Sequence, residues 1–203
     1  EAGKKLKDHG IIPYGISGTS VRSPQEMIVY FWQNGTDIAH KMEDGKYRNI
    51  WNEDPEELKK ATGVFELYKK MLDEGIITSD QSSWGYREMD TNFAQGKVAM
   101  VMNGSWMINY EKENPTTMAD VQVTAPPYNQ QPATFLEVAS ILTYKNSKNH
   151  KEAVDFMLWW AGKEAQSIVF PSRSVRTDVV EPGKWGEGFT SLVDQGKIWP
   201  QVA

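Results

Sequence analysis

Three tryptophans stand beside the glycine, proline, serine and asparagine residues that end secondary-structure elements. They are Trp84 before Gly85, Trp106 in Asn103-Gly104-Ser105-Trp106, and Trp199 in Ile198-Trp199-Pro200-Gln201. A flat ring at such a place can act as a platform for the apolar face of a bound molecule, while nearby hydroxyl and amide groups hold its polar edge. The chain holds eight Trp, eight Tyr and seven Phe. Most of these rings are accounted for by core packing, since each buries roughly 150–250 Å² where it packs. Trp84, Trp106 and Trp199 remain as surface candidates.

Among the carboxylates, Glu137 is distinctive because it interrupts the apolar segment Phe135 to Leu142. An ionised group is costly to bury there without a partner, so it either faces solvent on a strand edge or points into a crevice and accepts hydrogen bonds from hydroxyl groups. No second carboxylate is obviously paired with it, which weakens a hydrolytic reading. The arginines of Pro171-Ser172-Arg173-Ser174-Val175-Arg176 offer fork-shaped donors, and Arg173 is the stronger binding candidate of the two. His9, His40 and His150 are each flanked by polar residues and suggest solvated faces rather than a metal cluster. There is no HExxH, GxSxG, Walker or GxGxxG motif. No catalytic residue, metal or cofactor is assigned. The sequons Asn34-Gly35-Thr36 and Asn103-Gly104-Ser105 are read as turns.

The elements that must position these residues follow from periodicity and punctuation. Glu1 to His9 is the tail of a helix ending at Gly10, which implies that something upstream has been removed, and Ile11 to Ile16 is a short strand. Ser23-Pro24-Gln25-Glu26 predicts a helix start, with Ser23 as N-cap and Glu26 as its capping-box partner. That helix runs to Asn34-Gly35 with Met27, Tyr30 and Phe31 on one side. A surface hairpin is expected from Ile38 to Ile50. Asp54-Pro55-Glu56-Glu57 starts a second helix with Leu58, Ala61, Phe65, Tyr68 and Leu72 on its inner face, ending at Gly75.

The stretch Phe93 to Trp106 is the most informative. Phe93 closes a helix, Gly96 stops it, Val98 to Met102 is a buried strand, Asn103-Gly104 is a tight turn, and Ser105 caps a new helix. In an open α/β sheet the ligand crevice lies beyond the carboxyl ends of the strands, which puts Trp106 where a bound molecule would meet the protein. Further strands are expected at Val121 to Ala125 and Phe135 to Tyr144, and helices at Asn149 to Ala161, with Ala153, Phe156, Met157 and Trp160 inward, and Lys163 to Phe170.

Composition narrows the function classes. A chain of 203 residues with net charge -5 and no basic cluster lacks the electrostatic grip that nucleic-acid binding needs. Without cysteine there is neither a disulfide framework nor thiolate chemistry. Its apolar runs fall far short of the roughly 18 residues that suggest a membrane span.

The order of segments resembles the extracellular solute-binding proteins of ABC sugar importers, the family that includes maltose-binding protein. The resemblance is carried by AGKKLKDHGIIPYGIS, by FAQGKVAMVMNGSW and by ILTYKNSKNHKEAVDFMLWWAGKEAQSIVF, which together span nearly the whole chain. It implies an α/β fold, a periplasmic-binding-protein-like (type II) lobe with a mixed sheet flanked by helices, the first lobe being largely missing. Residues 1–140 are then the second lobe, 141–170 the segment crossing back to the first, and 171–203 the return to the second. Further helices would follow Ala203.

By the same resemblance Trp106 stacks on a sugar ring and Trp199 offers a second aromatic contact, and Ser105, Gly104, Glu137, Arg173 and Trp84 complete the expected ligand set. The implied function is capture of a mono- or oligosaccharide outside the cell and its delivery to the permease subunits of an ABC transporter. The full-length protein would be extracellular or periplasmic and anchored as a lipoprotein, while the truncated lobe would bind sugar weakly or self-associate. A carbohydrate-active hydrolase and a non-catalytic interaction domain are the competing classes.

Overall fold

A computed structural model describes residues 2–19, 21–135, 137, 139–171, 174–180 and 182–186. Helix α1 (Ala2–Lys7) leads through Gly10 into strand β1 (Ile12–Gly15). Helix α2 (Arg22–Gln33) follows, then strands β2 (His40–Lys41) and β3 (Tyr47–Arg48), and the long helix α3 (Pro55–Asp73). After a 3₁₀ turn at Ser79–Ser83 come helix α4 (Tyr86–Ala94), strand β4 (Val98–Val101) and helix α5 (Met107–Glu113). Helices α6 (His150–Trp160) and α7 (Lys163–Val169) close the described chain.

Strands β1 and β4 pair in parallel, with Ile12 opposite Val98, Tyr14 opposite Met100 and Gly15 opposite Val101. β2 and β3 form the expected antiparallel hairpin. On the other edge of β1 the chain after α3 replaces a third strand. The Tyr14 N–H donates to the Ile76 carbonyl at 3.1 Å, and the fully buried Gln81 spans the end of the strand. Its side chain accepts from the Ile16 N–H at 2.9 Å and donates to the Tyr14 carbonyl at 3.2 Å. Gly18 is required here because a Cβ at that position would strike the Ser82 backbone.

Two apolar clusters pack on either side of this frame. One gathers Phe31, Ala61 and Val64 with Met27, Tyr30, Trp51 and Tyr68, and the other Ala94, Met107, Met118 and Trp185 with Phe93, Trp106, Val121 and Val123. The helix stops at Gly35, Gly75 and Gly96 all have positive φ, as their glycines allow. The start of α3 is as expected: Asp54 accepts from the Glu56 and Glu57 N–H groups, with Pro55 beginning the helix.

Several expectations are corrected. α2 starts at Arg22 behind Val21 with no side-chain cap, so Ser23 lies inside the first turn and Glu26 is not its capping partner. Glu26 is instead buried, where its carboxylate accepts from the Tyr14 hydroxyl at 2.8 Å, and Tyr14 in turn meets the Tyr30 hydroxyl at 2.8 Å. The inner face of α3 is Ala61, Val64 and Tyr68, while Leu58, Phe65 and Leu72 stay near half exposed. Phe31, Met27 and Tyr30 of α2 and Trp51 pack with the former set, and their position rather than the spacing selects it. Phe156 on α6 is exposed, although Ala153, Met157 and Trp160 are partly covered.

Val121 to Ala125 is not a strand, nor are the described residues of Phe135 to Tyr144. A strand requires a neighbour for its ladder, and among the described residues none is offered to either segment. Ser105 does not cap α5, whose N-cap is Trp106 without a side-chain bond.

Burial holds the Glu26 carboxyl well above its ordinary 4.5, at about 7, against smaller lowering contributions from the Tyr14 hydroxyl, the Arg22 guanidinium and Tyr30. A folded-state pKa above the unfolded one means that the folded protein holds this proton more tightly. Stability from this group is therefore fully present below about pH 4.5 and falls as pH rises through about 7, by on the order of 3 kcal/mol. Glu26→Gln should flatten that part of the pH dependence and raise the urea midpoint at pH 8, as measured by denaturant unfolding of the complete protein at pH 5 and pH 8.

Candidate functional site

Parallel pairing sets the carboxyl ends of β1 and β4 side by side, so the loop from Ile16 to Val21 and the loop from Met102 to Trp106 emerge at one edge. The first loop is tied to Trp84, whose carbonyl accepts from the Thr19 N–H and the Thr19 hydroxyl, both at 3.0 Å, and from the Ser17 hydroxyl at 3.4 Å. This brings Trp84 to the same edge. The second loop begins with Asn103, whose side-chain oxygen accepts from the Gly104 N–H at 2.9 Å and so shapes the turn.

Trp106 is held from several directions. A Cβ built on Gly104 would stand 2.1 Å from Cζ3 and 2.4 Å from Cη2 of its indole, which is why the residue two before this tryptophan must be glycine. The indole N–H donates to Asp90 Oδ2 at 3.3 Å, and the Arg22 guanidinium stands over the ring with Cζ 4.3 Å from the centroid. The ring is therefore not a bare platform, as the sequence suggests, but half of a cation–π pair. Arg22 Nη1 also donates to Asn103 Oδ1 at 3.0 Å. Asp90, 1% exposed, closes the network by accepting from Asn103 Nδ2 at 2.7 Å. Burial raises its pKa above the ordinary 3.8, opposed by the Asn103 hydrogen bond, the Arg22 charge and the Trp106 N–H.

Glu137 reaches this neighbourhood by a long route. The segment from Asn129 runs back along α2: Asn129 donates to Asn34, the Gln130 and Gln131 N–H groups to the Gln33 carbonyl, and buried Gln33 to the Ala133 carbonyl. Phe135 then stacks on Trp32, and Glu137 accepts from Gln25 Nε2 at 2.9 Å in the first turn of α2. Glu137 is exposed at that rim rather than buried, the solvent-facing alternative of the two. Gly104 and Ser105 line a cleft of about 200 Å³ with Met100, Met102, Val121 and Trp185, which Trp106 does not line.

Arg173 and Trp199 lie outside the described residues. Arg176, the weaker candidate, is committed to Asp178 through two hydrogen bonds at 2.8 and 3.1 Å. Among the described residues no group of three potential ligands could hold a metal ion, and no helix is long and apolar enough to cross a membrane. The residues that sequence reasoning missed are Arg22, Asp90 and Asn103. Asp90 carried one signal, an acidic residue amid the apolar positions Met89, Phe93 and Ala94 of α4.

A parallel pair flanked by helices, with its crevice loops at one carboxyl edge, is the architecture of a periplasmic-binding-protein-like lobe. The chain belongs to the bacterial extracellular solute-binding proteins, whose family model matches residues 4–188. It is 28% identical over 199 residues to binding proteins of Brucella abortus (strain 2308) and Brucella suis biovar 1 (strain 1330), a match covering 93% of this chain and 46% of each relative.

Solved structures share the fold. The binding protein MsmE of Bacillus subtilis in an open conformation is similar with a TM-score of 0.66 at 19% identity, across 97% of this chain and 50% of that one. An ABC transporter solute-binding protein of Thermotoga lettingae bound to α-D-tagatose gives 0.64 at 19%, across 97% and 48%. A sugar transporter of Bacillus licheniformis in complex with stachyose gives 0.66 at 16%, across 97% and 52%. The chain thus spans about half the length of the proteins it matches.

Because the indole occupies the space a Gly104 side chain would need, Gly104→Ala should displace Trp106 and break its bond to Asp90. The expected cost is about 1–3 kcal/mol, read as a lower unfolding midpoint together with a changed near-ultraviolet circular dichroism signal. An unchanged tryptophan signal in the folded variant would contradict the packing described.

Proposed function

We propose that this chain is the greater part of the second lobe of a two-lobe receptor that captures a mono- or oligosaccharide outside the cell for an ABC importer. The observation that carries the reading is the Trp106 edge itself. A sugar offers apolar ring faces and a rim of hydroxyls, and the edge offers an indole beside guanidinium, amide, hydroxyl and carboxylate groups, with no activated nucleophile among the described residues. Support for carbohydrate as the ligand class comes from the tagatose and stachyose held by structural neighbours.

Trp106, Gly104, Ser105, Trp84 and Glu137 are the proposed contacts on the described part of the lobe, with Arg173 and Trp199 as further contacts. Arg22 stands where a ring would stack, so a sugar either displaces the guanidinium or shares the indole with it. Residues 1–140 form the second lobe in this reading, 141–170 cross to the first and 171–203 return. The exposed Phe156, Leu158 and Trp159 of α6 fit a face that the first lobe covers, and a lobe without it would self-associate there. The complete receptor would be extracellular or periplasmic, anchored to the membrane, and hand its sugar to the permease subunits. A hydrolytic role is disfavoured, because the carboxylate at the ring, Asp90, is buried and fully engaged rather than placed across a cleft from a second one.

Titration of the complete protein with a panel of sugars, tagatose and stachyose included, should give a saturable fluorescence change with at least one of them. Trp106→Ala should weaken that binding at least tenfold, or about 1.4 kcal/mol, while the fold persists. No response to any sugar in the unsubstituted protein would sink the carbohydrate reading.

A further inference from the structure

The edge that carries Trp106 contains one buried residue that could not meet a ligand directly and yet bonds two side chains of the crevice loop. Asp90 lies on α4, on the side that carries the buried Met89 and Ala94, and is 1% exposed. A carboxylate in that position is costly unless its oxygens are satisfied, and an apolar residue would serve packing alone at lower cost. Its two hydrogen-bond partners among the described residues are both side chains of the crevice loop, Asn103 Nδ2 at 2.7 Å and Trp106 Nε1 at 3.3 Å. One oxygen serves each, Oδ1 the amide and Oδ2 the indole.

The amide that Asp90 orients has only one way to face. With its nitrogen on Asp90, the Asn103 oxygen is presented to Arg22 Nη1 at 3.0 Å and to the Gly104 N–H at 2.9 Å. The Arg22 guanidinium, placed by that oxygen, then stands over the Trp106 ring at 4.3 Å. The chain of constraint therefore starts at one carboxylate and ends on both partners of the cation–π pair. Each link is a directed hydrogen bond, and two of the groups, Asp90 and Arg22, carry complementary charge.

We propose that Asp90 is the positioning residue of this site, the carboxylate that sets where the Trp106 ring stands and, through Asn103, where the Arg22 guanidinium stands above it. This rests on the reading of Trp106 as the ligand platform. Asp90 is not a ligand contact in this assignment. It fixes the ring before the ligand arrives, so its loss lowers affinity by letting the platform wander rather than by deleting a contact.

The test labels the complete protein with 5-fluorotryptophan and follows Trp106 by fluorine NMR, its resonance being identified by its loss in Trp106→Phe. Asp90→Asn keeps the volume but presents an amide N–H₂ where one of the two donors must be accepted. It should move or broaden the Trp106 resonance, leave the other tryptophan resonances in place, and weaken the sugar found by titration at least tenfold. Asp120→Asn, at an exposed position, should do neither. Asp90→Ser, shorter but still an acceptor, is read the same way if Asp90→Asn does not fold.

A Trp106 resonance unmoved in the folded variant would overturn the proposal whatever the affinity, and so would a moved resonance with unchanged affinity. Should the unsubstituted protein bind no sugar while the resonance moves in Asp90→Asn, the positioning of the indole by Asp90 stands and the carbohydrate reading is what fails.

Discussion

The parallel ladder between β1 and β4 is the interaction on which the rest of the lobe depends. Its register joins residues more than eighty positions apart, Ile12 to Val98 and Gly15 to Val101, and it forces two loops to leave the sheet on the same side. A parallel pair needs a crossover, and here the connection includes α2, α3 and α4, which in turn must cover the strands. Slipping one strand by one residue would put Tyr14 and Met100, now paired, on opposite faces of the sheet and shift the two crevice loops relative to one another. The site is thus a property of the strand register before it is a property of any one side chain.

Charge around the Trp106 ring is organised by Arg22, whose guanidinium stands over it. Arg22 lies between two buried carboxyl groups, Glu26 on its own helix and Asp90 on α4, and contributes a lowering influence on both while burial raises them. The two carboxyls are used differently. Glu26 is turned inward to the Tyr14 and Tyr30 hydroxyls and ties α2 to β1, whereas Asp90 is turned toward the crevice loop. Desolvation makes such groups expensive, so each persists where hydrogen bonds give it a fixed orientation. The same feature that weakens the lobe thermodynamically gives the edge a definite geometry.

Helix α2 is the second organising element. Its carboxyl end anchors the segment from Asn129 to Ala133 and stacks Trp32 on Phe135, and its first turn holds Gln25 against Glu137. An exposed glutamate is thereby delivered to the rim of the site by a stretch that forms no ladder. In contrast, α6 buries no residue, and its Phe156, Trp159 and Trp160 contact one another and Phe170. Phe156, Leu158 and Trp159 of α6 thus stay exposed.

Much of this was decided locally and could be read from residue order. Asp54-Pro55 starts α3, Gly35, Gly75 and Gly96 end three helices, the run from Val98 makes β4, and Gly104-Ser105-Trp106 places an indole past its end, because caps, turns and periodicity act over a few residues. Family membership was legible for the same reason, carried by short motifs in a fixed order.

What only the tertiary structure decided is where polar groups find partners across long sequence separations. Ser23 and Glu26 have the letters of a capping box, yet Tyr14 on β1 takes the glutamate. Leu58, Phe65 and Leu72 are as apolar as the residues that α3 buries, and only the position of α2 selects Ala61, Val64 and Tyr68 instead. Val121 to Ala125 has a strand's composition but, among the described residues, no neighbour to pair with. Asp90 and Arg22, ordinary charges in the linear text, became the supports of Trp106 because β1 and β4 lie side by side, and a hydrogen bond is felt only at contact.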